Sequence, residues 1–136
     1  MKQLRGIKYL VVLVPILLLA VCPYATAAQV TRTGTVTTIE DPNPSGSQSV
    51  TVPADATLCV VMAAFYRSAT NWIPSNPVTL NGVNLTTLQK TDNVSNVEQV
   101  WLGYLVSPAT GSQTLAWNWG YDLIEGAVIC VVFYKG

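Results

Sequence analysis

Beyond residue 28, apolar and β-branched residues come in short runs, and Gly, Pro, Asn and Asp recur between them. No segment keeps apolar positions at a spacing of 3.6, which argues against helices and for strands. Eight strands are expected: Val30–Ile39, Gln48–Val52, Ala56–Tyr66, Val78–Leu80, Val83–Leu88, Val97–Val106, Leu115–Trp119 and Ala127–Tyr134. The stretch from Glu40 to Ser47, with two prolines and a glycine, reads as a loop. Asn81-Gly82 is the clearest local signal. A two-residue type I′ hairpin turn needs positive φ at both central residues, and Asn-Gly adopts that at little cost. Ala56–Tyr66 lacks polar alternation, so it reads as a strand buried on two faces, and Ala127–Tyr134 is again strongly apolar. The expected fold is all-β, an antiparallel β-sandwich of immunoglobulin-like or jelly-roll type with about eight strands.

The first 28 residues follow a different pattern. Lys2, Arg5 and Lys8 precede an apolar run from Leu10 to Val21, and Ala25-Thr26-Ala27 forms a small-residue cleavage site. This is the layout of a secretory signal peptide, cut after Ala27 or Ala28. Pro15 interrupts the run, which is also shorter than the ~20 residues of a membrane span. A lipoprotein signal at Cys22 is the weaker alternative, because Val21 is not small. A pilin-type leader at Arg5-Gly6 is also weaker, because Lys8 would fall inside its helix. The organisation is then a signal over 1–28 and one sandwich domain over 29–136, in a secreted or cell-surface protein that meets the membrane only through the uncleaved signal.

Composition narrows the chemistry. Histidine is absent from the 136 residues, and charged residues make up only 10%. Without the three leader cations, four basic residues stand against seven acidic ones, a net charge of −3. No basic patch is left for phosphates, so a nucleic-acid partner is not expected. Without histidine there is no Ser-His-Asp or Cys-His centre, and a zinc site would need Cys and carboxylates alone. Asp41–Gly46 resembles the start of a calcium loop, but Val52 occupies the position that needs a bidentate Glu. No enzyme activity, cofactor or metal is expected.

Two cysteines follow the leader, Cys59 and Cys130, each within an apolar strand. In an oxidising compartment a disulfide between them is the expected pairing if their strands are neighbours, and two buried thiols are the alternative. Leu115, Trp117, Trp119 and Tyr121 alternate and share one face of an extended segment. That row serves either as a stacking surface for a sugar or a partner, or as core with Ala116 and Asn118 pointing outward. Trp72, in a polar loop, is a further ligand-binding candidate. Trp101 and Tyr104 lie on opposite faces of one strand, so at most one of them faces the core.

Several segments together resemble β-sandwich modules of bacterial secreted, surface and phage-related proteins. They are Ser49–Pro53 leading into LCVVMAAFY, then VTLNGVNLTTL, VWLGYLVSPATGSQTLAW and GAVICVVFY. The resemblance implies a non-catalytic spacer, adhesin part or carbohydrate-binding domain, and it carries no site motif. Binding of a glycan or surface protein through Trp72, Trp117, Trp119 and Tyr121 is the first functional expectation. The alternative is self-assembly into a filament or coat, with residues 29–39 donated as a strand through Val30, Val36 and Ile39 to an open edge of another copy.

Overall fold

A computed structural model describes residues 29–67, 73–91, 97–120 and 124–136. The leader segment, Trp72 and Tyr121 lie outside the described residues. Nine strands are present among them: β1 (Thr31–Asp41), β2 (Ser45–Val52), β3 (Leu58–Arg67), β4 (Val78–Leu80), β5 (Val83–Asn84), β6 (Thr86–Lys90), β7 (Val97–Val106), β8 (Gly111–Asn118) and β9 (Ile124–Lys135). They form a five-stranded sheet, β1-β9-β3-β7-β6, and a four-stranded sheet, β2-β8-β4-β5.

All pairings are antiparallel, and they nest: β1 with β9, β2 with β8, β3 with β7, β4 with β5. The chain is in effect one long hairpin rolled across two sheets. That is the connectivity of a jelly roll, and it decides between the two sandwich types expected.

Two of the corners that carry the chain from sheet to sheet differ from expectation. At the first, the expected loop from Glu40 to Ser47 contracts to Pro42-Asn43-Pro44. The Asp41 carboxylate makes this possible by accepting from the Asn43 backbone N–H at 2.8 Å and its side-chain amide at 2.6 Å, closing a local turn. Ser45–Ser47 then extend β2 by pairing with Ala116–Asn118. The close approach at Gly46 needs glycine, since a Cβ there would lie 2.5 Å from Cζ2 of Trp117. At the second corner, the single strand expected over Val83–Leu88 divides at Leu85. This residue is buried, and its N–H donates to the Val78 carbonyl. The turn between β4 and β5 is as expected, with φ of 50° at Asn81 and 78° at Gly82.

The core lies between the sheets. The inward residues of the three central strands form rows: Phe133–Cys59–Leu105, Val131–Val61–Gly103, Ile129–Ala63–Trp101 and Ala127–Phe65–Gln99. Leu80, Leu115, Trp117 and Trp119 meet them from the other sheet and the end of β8. Trp119 stacks on Phe65 at a centroid separation of 4.7 Å and meets Trp101 edge-on at 6.2 Å.

Cys59 and Cys130 do lie on neighbouring strands, but they form no disulfide. The register explains the failed expectation. Cys130 pairs with Met62 and Cys59 with Phe133, an offset of three residues. Because side chains alternate between faces, an odd offset places the two sulfurs on opposite faces of the sheet. Cys59 points into the core, where burial pushes its thiol up to about 12. Cys130 points to the outer face and is half-buried.

β1 lies on the sheet edge of its own chain, paired with β9 at residues 31–33 and 37–41. The register breaks between Thr33 and Thr37, near Gly34 at a φ of 69°. Of the three donor-strand candidates, Val30 and Val36 are exposed and Ile39 is buried.

Candidate functional site

The described residues of the aromatic row do not form a surface. Trp117 is 4% exposed and Trp119 is fully buried, so neither is available to stack on a ligand. Ala116 and Asn118 take the outward positions instead. The hydrophobic inter-sheet space decides this, since β8 is central in its sheet and has only one face toward the core. Trp101 is likewise buried, and Tyr104 lies on the opposite face of β7.

The unusual surface is the outer face of the five-stranded sheet. Expected burial of β3 on both faces is not what the structure shows, and β9 beside it behaves alike. Their second apolar face looks outward, and no described element covers it. Across β9, β3 and β7 it consists of four rows. Tyr134–Leu58–Val106 is the first, and Val132–Val60–Tyr104 the second. Cys130–Met62–Leu102 is the third, and Val128–Ala64–Val100 the fourth. None of these twelve positions holds a charged residue. Val106 is 60% exposed, Val100 48%, Val128 45% and Met62 44%.

Strand spacing near 4.8 Å and a row spacing near 6.8 Å give this face an area of about 400 Å². That is within the range where a contiguous apolar patch on a monomer is often functional. Its flanks are mainly polar, with exposed Val36 on β1 and Leu88 on β6 at the breaks in register. On the β1 side, Arg32 adjoins Tyr134, Thr38 adjoins Cys130 and Glu40 adjoins Val128. On the β6 side, Thr86 adjoins Tyr104 and Gln89 adjoins Leu102. An apolar centre with a polar rim is the anatomy of a protein–protein interface.

Elsewhere the ionisable groups serve the fold. Asp55, in the turn between β2 and β3, accepts from the Thr33 hydroxyl at 2.6 Å and from the Lys135 ammonium at 2.9 Å. These two partners hold its carboxyl below the ordinary value. They also tie the start of β1 and the end of β9 to that turn. Among the described residues, no three His, Cys, Asp or Glu side chains gather closely enough to hold a metal ion.

The signal for the outer face was present in the sequence, in apolar residues at both parities of LCVVMAAFY, VWLGYLV and AVICVVFY. Reading the first of those runs as doubly buried hid it, because alternation alone does not reveal whether a second layer exists. The fold defines a two-layer jelly-roll sandwich with one outer apolar face that no described element covers and in which Val132 alone is buried. No family model, curated protein or solved structure matches this chain. The likeness to bacterial surface and phage-related modules therefore stands on the sequence pattern alone.

Proposed function

We propose that this chain is an exported, non-catalytic β-sandwich module that works by docking the outer face of its five-stranded sheet onto a protein surface. The continuous apolar face of β9, β3 and β7 carries this reading. Aliphatic side chains dominate it, and its two tyrosines are half-buried. Flat aliphatic surface suits a protein partner better than a sugar, which calls for exposed rings. The buried Trp117 and Trp119 weigh against the glycan reading in the same way.

The Cys130 thiol sits on this face and is a built-in reporter of its coverage. Material kept in its native secreted or surface state is treated with a maleimide, beside protein purified and diluted; a Cys130→Ser variant assigns the label. Shielding in native material, with rapid labelling after dilution, is the expected result. Equal rapid labelling in both would mean an open face and would sink the proposal.

A second reading, assembly by strand exchange, draws support from β1. Ile39 alone among its eleven residues is buried, so the strand is held mainly by its ladder to β9. Exchange predicts large particles whose growth stops in Ile39→Asp but continues in Met62→Lys. Under face docking Met62→Lys is the disruptive change, and light scattering of the two variants separates the mechanisms.

A further inference from the structure

We infer that the partner of the outer face is a second copy of this chain, related by a two-fold axis that lies in the interface and runs across the strands. This rests on the docking reading above and adds the occupant and its orientation.

The argument comes from the order of side chains along the flanks. Arg32 adjoins the first apolar row and Glu40 the fourth. On the other flank, Thr86 adjoins the second row and Gln89 the third. These positions mirror one another about the line midway between rows two and three. A two-fold axis along that line keeps each strand over its own counterpart and reverses the row order. Arg32 then faces Glu40 of the second copy, and Glu40 faces its Arg32. Thr86 meets Gln89 in both directions, a donor–acceptor match at the rim.

Under the same operation Leu58 meets Ala64 and Tyr134 meets Val128, large against small, whereas Val106 meets Val100 and Tyr104 meets Leu102. Two sheets stacked in this way lie about 10 Å apart and cross at about 30°. An axis along the strands would instead set the charged β1 flank against the neutral β6 flank, leaving both charges unpaired at the rim. Isologous contact of this kind is self-limiting and produces a closed dimer.

The area sets the strength. Two faces of about 400 Å² bury about 800 Å² at least, at the low end for specific complexes. A reversible dimer is expected, with a Kd of about 1–100 µM.

The test is sedimentation velocity across a concentration series on protein expressed with its own N-terminus and purified as processed. Arg32→Glu alone and Glu40→Arg alone each set like charges opposite one another twice, and each is expected to weaken the dimer about tenfold. The double swap restores opposite charges and returns Kd to within about threefold of the wild type. Both residues are exposed on an edge strand, so the swaps leave the core untouched. A monomer at all concentrations up to about 500 µM, or single swaps that the double variant does not rescue, would overturn the two-fold dimer. If Cys130 is shielded in native material while the purified protein stays monomeric, the docking reading stands and the second copy is replaced by a different protein. If Cys130 is open in both, the docking reading itself falls.

Discussion

Trp119→Ala is expected to destabilise the fold by about 4 kcal/mol, the range for deleting a buried tryptophan. In a domain of this size that lowers the midpoint of thermal unfolding by about 20 °C. The indole is fully buried and packs between Phe65 and Trp101, so alanine leaves a cavity in the inter-sheet core. Main-chain shape is not at issue, because the Trp119 N–H still donates to the Pro44 carbonyl at the β1–β2 corner. Comparison with phenylalanine variants sharpens the test. The indole Nε1 groups of Trp117 and Trp119 are buried with no hydrogen-bond partner among the described residues, whereas Nε1 of Trp101 donates to the Thr87 hydroxyl at 3.0 Å. A buried donor without a partner carries a desolvation penalty, and removing it recovers part of the loss in volume. Trp117→Phe is therefore expected to cost less than about 1 kcal/mol, and Trp101→Phe about 2 kcal/mol. Urea unfolding followed by far-ultraviolet circular dichroism measures all three. A loss below about 1 kcal/mol for Trp119→Ala would mean that the ring is not part of the core.

Gly103→Ala is expected to cost about 3 kcal/mol, from overpacking rather than from backbone strain. Gly103 lies on the inner face of β7, two residues from Trp101, and the indole lies over it. A Cβ at this position would overlap Cη2 and Cζ2 of Trp101 and sit 3.0 Å from the Thr86 carbonyl oxygen. The ring has nowhere to retreat, since Trp119 meets it edge-on and its Nε1 is tied to Thr87. Gly82→Ala is the control. Its Cβ would meet nothing within 4 Å, but φ is +78°, so the cost is a backbone penalty of about 1 kcal/mol. Equal losses for the two variants would show that the Trp101 ring does not cover Gly103.

The two substitutions show how the core and the interface divide the protein. Trp101 from one sheet and Trp117 from the other fill the inter-sheet space with Trp119, so none of these three indoles is exposed. Of the exposed large apolar residues, Met62, Val100, Val106 and Val128 lie on the outer face of the five-stranded sheet, and Val83 lies on β5 of the other. In the docking proposed above, the whole sheet face would make the contact, with Arg32, Glu40, Thr86 and Gln89 at its flanks.

Much of the fold was legible along the chain because it rests on local rules. Period-two runs and turn residues marked the strands. Asn81-Gly82 set its hairpin without help from the rest of the molecule, since positive φ at two successive residues is a property of those residues themselves. Boundaries that depended on distant partners were not legible. Ser45–Ser47 became strand because β8 offers them a ladder, and Val83–Leu88 broke at Leu85 because that side chain turns into the core.

The sequence by itself determined the all-β class, the composition of each strand and the absence of histidine chemistry. The tertiary structure alone decided three things. Strand register put Cys59 and Cys130 on opposite faces, since a shift of one residue reverses every side chain. Sheet order put Trp117 and Trp119 inside. The lack of a covering layer, among the described residues, turned three doubly apolar strands into an exposed face. Each is a property of how strands are placed beside or above one another, and a linear pattern of side chains carries no record of that placement.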